Sequence, residues 1–227
     1  MTLILAHRGL HDRHRENTLA AFAAARALGV DGVELDVRRS ADGVLVVHHD
    51  PEVAGHAIAR TPAADLPAWV PTLEAALEAT GDLLVNVEVK NGPGSGEPVV
   101  EDPAELAAAV RASVESRGAH TRVRYSSFAW ETAAALVGAA PVDGLLDVGE
   151  DALAALARAE ELGLSGVNPP LASLDAPLVA QARARALALF VWTVNEDADL
   201  DRCLALGVTG VITDVPARAI LRRAATY

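Results

Sequence analysis

Short β-type runs alternate with Ala-rich stretches along the whole of this chain of 227 residues. Such alternation predicts strands joined by helices, because a helix-ending Gly follows five of the Ala-rich stretches and β-branched residues come after it. Eight strands are predicted, at residues 3–6, 32–37, 83–89, 122–126, 144–148, 166–168, 188–194 and 208–213. Eight helices are predicted, at residues 18–28, 73–79, 103–116, 129–137, 152–162, 177–186, 197–206 and 216–225.

Eight strand–helix units in a chain of this length indicate an α/β fold, a (β/α)₈ TIM barrel that forms a single domain over residues 1–227. The alternative is an open, doubly wound sheet. The run 44–48 follows the turn signal Asp42-Gly43, which predicts a hairpin after the second strand. The Gly-rich run 91–96 lacks the Lys and the helix of a phosphate-binding loop, so we expect a mobile loop there.

Charged residues occupy alternate positions in the second and third predicted strands. Glu34 and Asp36 share one face of the second strand, Glu88 and Lys90 share one face of the third, and the opposite faces are apolar. Two edge strands with their charges in water would give the same pattern. If these faces turn inward, the carboxylates repel one another unless a cation or a proton lies between them. The inward interpretation therefore predicts a metal site.

The composition excludes several classes of partner. Hydrophobic residues make up 51% of the chain, as in a globular protein and unlike a disordered one. A formal net charge of −12 disfavours nucleic acids and stable association with anionic membranes. The single cysteine, Cys203, can form no intramolecular disulfide, and the N-terminal apolar run is too short for a signal peptide. We therefore expect a cytoplasmic protein, in which local Arg and Lys side chains can still bind a small anion.

Five short polar motifs follow one another along the first half of the chain: His7-Arg8-Gly9, Glu16-Asn17-Thr18, Glu34-Leu35-Asp36, His49-Asp50 and Glu88-Val89-Lys90. Their order and spacing resemble those of the glycerophosphodiester phosphodiesterase family. The similarity continues in later segments: Ser127-Phe128, Trp192-Thr193-Val194-Asn195 and Gly210-Val211-Ile212-Thr213-Asp214. Two features depart from the family pattern, since Arg15 stands where Pro is usual and the stretch 52–71 is short.

The resemblance implies a metal-dependent site at the strand ends. Glu34, Asp36 and Glu88 would be ligands of one divalent cation, Mg²⁺ or Ca²⁺, because both ions prefer oxygen ligands. Arg8 and Lys90 would bind the remaining oxygens of the substrate phosphate.

The resemblance gives His7 and His49 the paired roles of general acid and general base, for which imidazole is suited because it titrates near neutral pH. The sequence does not tell which histidine is the acid, nor whether water or a substrate hydroxyl attacks. Taken alone, His7 is more simply interpreted as a capping or core histidine. Asn17 is interpreted first as the N-cap of the helix at 18–28, and second as a residue that supports the site together with Glu16.

Trp192 and Phe128 are expected to line the substrate site, although Trp192 can equally fill the mouth of the barrel. The predicted function is that of an enzyme, a phosphoric diester hydrolase. It would cleave glycerophosphodiesters, its small-molecule partners, to glycerol 3-phosphate and an alcohol. The alternatives are a lysophospholipase D-like phosphodiesterase and a non-catalytic barrel that binds phosphoryl ligands. No oligomeric state is predicted.

Overall fold

The computed structural model describes residues 1–92 and 101–226. The strands in these residues are β1 (Leu3–Ala6), β2 (Gly32–Arg39), β3 (Leu45–Val47), β4 (Glu52–Val53), β5 (His56–Ala57), β6 (Leu84–Val89), β7 (Val123–Ser127), β8 (Val142–Leu145), β9 (Gly166–Asn168), β10 (Ala188–Val191) and β11 (Gly210–Thr213). The helices are α1 (Leu19–Leu28), α2 (Leu73–Thr80), α3 (Pro103–Ser116), α4 (Trp130–Leu136), α5 (Ala152–Glu161), α6 (Ala176–Ala184), α7 (Asp197–Leu206) and α8 (Pro216–Thr226). Most of the predicted Gly-rich loop, residues 93–96, lies outside the described residues.

Eight of the strands form a closed parallel barrel in the order β1-β2-β6-β7-β8-β9-β10-β11. The ring closes because β1 pairs with both β11 and β2. One α-helix follows each barrel strand along the chain. The predicted (β/α)₈ TIM barrel is therefore confirmed, and the open doubly wound sheet is wrong.

The side chains of each barrel strand alternate between an apolar outer layer and the barrel interior. On β2, Val33, Leu35 and Val37 are fully buried in the main hydrophobic core, against the helices. The intervening Glu34 and Asp36 are only 3% and 1% exposed, so both acids are buried as well. Because β2 has barrel neighbours on both sides, the interpretation of this segment as an edge strand in water is wrong.

Apolar side chains also fill part of the interior of the barrel, where Leu5, Phe190 and Ile212 form a separate buried cluster. Arg124 and the buried Asp143 form an ion pair on the neighbouring strands β7 and β8, with N–O distances of 2.5 and 3.0 Å. An eight-stranded barrel is just wide enough for its inward side chains to fill. Most of the interior that the structure describes is therefore packed core, and the cavity beside the charged residues lies at the mouth.

Six of the eight strands begin or end at a different residue than predicted, and at β8, β10 and β11 the predicted run extends into a turn. β8 covers residues 142–145 instead of 144–148, and Val148 is 73% exposed. β10 ends at Val191 instead of 194. β11 begins at Gly210 because the Val208 amide still donates to the Cys203 carbonyl at the end of α7. An apolar run in the sequence thus overestimates strand length where its ends belong to a turn.

The connection between β2 and α2 folds on a small core of its own. β3 pairs antiparallel with the end of β2, which agrees with the predicted hairpin, whereas the short β4–β5 hairpin was not predicted. Residues 45–70 are here called the rim segment. Leu45 and Val47 pack into the main core, whereas other apolar residues of this segment form a separate hydrophobic cluster. Its buried members are Val46, Val53, Ile58 and Leu66, and Trp69 packs against them.

Candidate active site

The predicted site residues meet at the carboxyl ends of the barrel strands, around a cavity of about 210 Å³. Eight of them line this cavity: His7, Arg8, Glu34, His49, Glu88, Lys90, Phe128 and Trp192. Charged side chains from β2, β6 and the loop after β1 form one wall, and the opposite wall is largely apolar, with Leu145 and Ile212. The cavity therefore offers a polar and an apolar surface to a ligand.

Three acids converge beside this cavity because the barrel register brings them together. Asp36 of β2 is the register partner of Glu88 of β6, and Glu34 lies two residues before Asp36 on the same strand face. Glu34, Asp36 and Glu88 each offer a carboxylate oxygen, and these oxygens lie within 4.8 Å of one another. All three residues are buried. The expected convergence of these acids is present in the structure.

Lys90 lies among these acids and offsets part of their charge. Its Nζ is 2.9 Å from Asp36 Oδ1 and also pairs with Glu88 Oε1. Burial acts to lower the pKa of Lys90, but the charges of Asp36 and Glu88 outweigh it and raise that pKa. Burial acts to raise the pKa of Asp36, and the charges of Lys90 and Arg8 outweigh it, so the pKa of Asp36 is lowered. Asp36 is therefore held ionised.

Glu34 has the opposite electrostatic environment. Burial raises the pKa of Glu34, and the neighbouring charges of Asp36 and Glu88 raise it further. Glu34 Oε2 accepts a hydrogen bond from the Arg8 amide at 3.2 Å. Glu34 Oε1 is buried and has no hydrogen-bond partner within the described part of the chain. A buried oxygen without a partner beside two other carboxylates fits a hard divalent cation, which prefers oxygen ligands.

Arg8, Glu16 and Asn17 support this acid cluster from the loop after β1. Arg8 NH1 donates to Glu16 Oε1 at 2.8 Å, and Arg8 Nε lies 3.5 Å from Asp36 Oδ2. Asn17 Nδ2 donates to Asp36 Oδ2 at 2.7 Å. The N-cap of α1 is Thr18, whose hydroxyl accepts from the Ala21 amide. The first interpretation of Asn17, as N-cap, is therefore wrong, because the tertiary hydrogen bond to Asp36 engages its side chain.

His7 contacts an acid from the other end of the chain. Its Nδ1 is 2.7 Å from Asp214 Oδ1, just after β11, and its Nε2 is 3.9 Å from Glu34 Oε2. His11 Nε2 lies 3.1 Å from the same Asp214 oxygen. Burial acts to raise the pKa of Asp214, but hydrogen bonding and charge from His7, with hydrogen bonds from Asn195 and His11, lower it. Neither Asp214 nor His11 was assigned a role from the sequence. For Asp214, the sequence signal was its position as an acid directly after the last predicted strand.

His49 lies on the rim segment, and a buried arginine holds its backbone. His49 Nδ1 is 2.8 Å from Asp50 Oδ1. Arg38 is 2% exposed, and its Nε donates to the carbonyls of His48 and His49 at 3.2 and 2.9 Å. Burial lowers the pKa of Arg38 to about 10, although the charges of nearby acids, Asp36 first, act to raise it. Sequence reasoning missed Arg38, although it shares the strand face of Asp36.

Phe128 and Trp192 form the apolar side of the mouth. Their rings are 5.7 Å apart in an edge-to-face arrangement, and Trp192 Nε1 donates to the Asn168 carbonyl at 2.8 Å. The Trp192 ring is thus held in place from two directions. Because both aromatic residues also line the cavity, a bound molecule would contact them.

Comparison with known proteins gives a family match over most of the chain. A sequence model of the glycerophosphoryl diester phosphodiesterase family matches residues 7–69 and 55–218, which include all the site residues described above. The chain belongs to this family. Membership confirms the resemblance of the motifs and the prediction of an enzyme of the phosphoric diester hydrolase class.

Individual family members are similar over almost the entire chain. The glycerophosphodiester phosphodiesterase of Caldanaerobacter subterraneus subsp. tengcongensis is 31% identical over 247 residues, which cover 96% of each chain. The crystal structure of a glycerophosphodiester phosphodiesterase from Thermotoga maritima has a TM-score of 0.82 at 26% identity, with 98% of each chain covered. An Oleispira antarctica phosphodiesterase, solved with the product sn-glycerol-3-phosphate, has a TM-score of 0.84 at 24% identity over 98% of this chain and 96% of that one, which shows the shared fold.

One further observation concerns membranes. Within residues 1–92 and 101–226, no helix combines the length and the apolar character that a bilayer crossing requires.

Proposed function

We propose that this family member hydrolyses glycerophosphodiesters to glycerol 3-phosphate and an alcohol, in a reaction that requires one divalent cation. The observation that carries the proposal is the convergence of Glu34, Asp36 and Glu88 within 4.8 Å, beside a cavity that His7 and His49 also line. Relatives named glycerophosphodiester phosphodiesterase support the substrate class. A cytoplasmic location remains a prediction.

Glu34, Asp36 and Glu88 are the proposed ligands of Mg²⁺ or Ca²⁺. The partnerless Glu34 Oε1 and the raised pKa of Glu34 support this assignment, because an additional positive charge is what this buried carboxylate lacks. When bound, the cation would offset the charge of the phosphodiester and stabilise the charge that develops as phosphorus is attacked. The acids themselves would orient the cation without entering the bond changes.

Arg8 and Lys90 are proposed to bind the phosphate oxygens. Both line the cavity, and both are held by acids, Arg8 by Glu16 and Lys90 by Asp36 and Glu88. Their positions are therefore set before the substrate arrives, and little conformational entropy is lost on binding. Charge-assisted hydrogen bonds from such donors strengthen as negative charge grows on the phosphoryl oxygens.

His7 and His49 are proposed to move the protons. One ring accepts the proton of the attacking oxygen, and the other donates a proton to the departing alcohol. In each ring Nδ1 lies within hydrogen-bond distance of an aspartate, Asp214 for His7 and Asp50 for His49. Nε2 is therefore the nitrogen that each ring presents for the reaction.

The size of the cavity favours water-soluble diesters over the lysophospholipase D-like alternative. Its volume of about 210 Å³ is below the roughly 300–1,000 Å³ of pockets that enclose drug-sized ligands. A glycerophosphoryl group is small enough for this space, whereas an acyl chain would extend beyond it. The net charge of −12 also opposes approach to an anionic bilayer.

A product assay tests the proposal. Purified protein is incubated with glycerophosphocholine or with its acylated counterpart, and glycerol 3-phosphate and free alcohol are measured. We expect faster turnover of the unacylated diester, loss of turnover in EDTA, and recovery with Mg²⁺ or Ca²⁺. Glu34→Gln should remain inactive at any cation concentration that restores the wild type, whereas Glu52→Gln, a control on the exposed rim, should match the wild type.

Three results would contradict the proposal, each in a different part. Full turnover in EDTA would show that the reaction does not require the cation. Preference for the acylated substrate would favour the lysophospholipase D-like activity. Tight binding of glycerol 3-phosphate without turnover of any diester would favour the non-catalytic, phosphoryl-binding barrel.

A further inference from the structure

Asp214 accepts hydrogen bonds from three side chains at the mouth of the barrel. Its Oδ1 lies 2.7 Å from His7 Nδ1 and 3.1 Å from His11 Nε2, and its Oδ2 accepts from Asn195 Nδ2 at 2.7 Å. An ionised carboxylate has only acceptor sites, so each of these nitrogens carries the hydrogen. The protonation of both imidazole rings is therefore defined at the nitrogen that faces Asp214.

Asn195 fixes Asp214 at two points. Besides donating to the carboxylate, its side-chain carbonyl accepts from the Asp214 backbone amide at 2.9 Å. The Thr213 hydroxyl donates to the same Asn195 oxygen at 3.2 Å. Because both the backbone and the carboxylate of Asp214 are bound to one amide, rotation of the Asp214 side chain would break at least one of these bonds.

The consequence for His7 is a defined tautomer. With the hydrogen on Nδ1, a neutral His7 has its lone pair on Nε2, the nitrogen that lies 3.9 Å from Glu34 Oε2. His7 lines the cavity, so this lone pair is available on the side of the acid cluster. The opposite tautomer would leave Asp214 facing an unprotonated nitrogen, and two acceptors would then oppose each other.

A cation between these side chains is a poorer explanation. Ligand atoms of His7, His11 and Asp214 do lie within 4.8 Å of one another. However, an ion with bonds of about 2.0–2.2 Å to each ligand would need more space than separations of 2.7 and 3.1 Å provide. Direct hydrogen bonds account for the same distances without any movement.

We propose that Asp214 is the positioning residue of His7, that it holds the ring with Nε2 directed at the reaction centre, and that Asn195 and His11 keep Asp214 in place. This inference rests on the proposed role of His7 in proton transfer. Asp214 acts through the ring and contacts none of the three acids proposed as cation ligands.

The test uses Asp214→Asn, which keeps the size of the side chain and removes its charge. An amide can present NH₂ to the ring, so the His7 tautomer is no longer fixed. We expect kcat to fall by about 10²–10⁴-fold, the scale seen when an aspartate that orients a histidine is replaced by asparagine. KM should stay within about threefold, because Asp214 is not proposed to bind substrate.

A spectroscopic measurement tests the tautomer without using activity. Nitrogen-15 NMR of the histidine rings, with His7 assigned by comparison with His7→Gln, should report hydrogen on Nδ1 in the wild type. In Asp214→Asn the signals should shift toward hydrogen on Nε2. Asp12→Asn, which removes a charge from the exposed loop after β1, is the matched control and should leave both the spectrum and kcat unchanged.

Asn195→Ala is the second variant, in case Asp214→Asn does not fold. It keeps the carboxylate but removes its anchor, and it should lower kcat by about tenfold. A wild-type His7 with hydrogen on Nε2, or an unchanged tautomer and kcat in both variants, would overturn the proposal. If the wild type cleaves no phosphodiester, the proposed function fails, and the NMR comparison still decides how Asp214 orients His7.

Discussion

Lys90 Nζ lies 2.9 Å from Asp36 Oδ1, so the residue directly after β6 contacts the neighbouring strand β2. Both side chains are almost inaccessible, at 6% and 1% exposed. Lys90 also pairs with Glu88, so a positively charged side chain is already present among the three acids. The charge of the three acids is therefore partly neutralised before any ligand binds.

Lys90→Met should destabilise the protein as well as lower its activity. Removal of one partner from a buried ion pair leaves an uncompensated charge and costs about 3–5 kcal/mol. Urea unfolding in EDTA measures this loss. Added Mg²⁺ or Ca²⁺ should recover more stability in the variant than in the wild type, because the ion then replaces the missing charge. A variant as stable as the wild type in EDTA would contradict this account.

The stability of the metal-free protein should respond to pH in opposite directions at Asp36 and Glu34. The pKa of Asp36 is lowered on folding, so its stabilising contribution is present above the unfolded pKa of about 3.9 and is lost as pH falls through the folded pKa. Asp36→Asn should therefore be less stable than the wild type at pH 7. The difference should shrink as the solution is acidified below pH 4.

The pKa of Glu34 is raised on folding, so its ionisation costs stability as pH rises above the unfolded value of about 4.3. Glu34→Gln should then be more stable than the wild type in EDTA at pH 7, since the Gln carbonyl can still accept the Arg8 amide. This advantage should vanish near pH 4 and also when Mg²⁺ or Ca²⁺ is added. Unfolding curves of both variants between pH 3 and 7 check the two signs, and equal signs would refute the electrostatic description.

His7→Ala and His49→Ala should each lower turnover by about a hundredfold or more, the usual effect of lost acid–base catalysis. Neither ring belongs to the three-acid cluster, so the affinity for Mg²⁺ or Ca²⁺ should remain within about threefold. Steady-state kinetics and calorimetric titration of the cation separate the two effects. Wild-type turnover in either variant would remove that histidine from the mechanism.

Arg38→Met should displace His49 without removing it. The variant loses the bonds from the guanidinium to the His48 and His49 carbonyls, and we expect kcat to fall by about 10–100-fold, the scale of an ångström-level misplacement. Arg39→Met is the matched control, because Arg39 is the adjacent residue but pairs with Glu101. Equal kcat values for the two variants would show that Arg38 does not position His49.

The barrel and the acid cluster were predictable from the sequence because both depend on local periodicity. Alternation of Val33, Glu34, Leu35 and Asp36 is enough to separate two strand faces, and eight strand–helix units close a barrel. The closure then determines that the charged face is buried.

Other parts of the site depend on contacts that the local pattern does not contain. His7 and Asp214 are separated by 207 positions, and their meeting requires the ring to close between β1 and β11. Arg38 follows the predicted end of a strand, where a charged residue normally faces water. Asn17 and Thr18 are both good N-cap residues, and only the tertiary bond from Asn17 to Asp36 assigns the cap to Thr18.

The rim segment has its own apolar cluster, apart from the core that supports the barrel. His49 lies on this segment, whereas the three acids and His7 lie on barrel strands or directly after one. Insertions, deletions or exchanges between residues 50 and 70 can thus remodel the entrance while the strands that carry the three acids keep their pairing. Such modularity would let related enzymes acquire new alcohol preferences by loop replacement, with an inherited hydrolytic centre left intact.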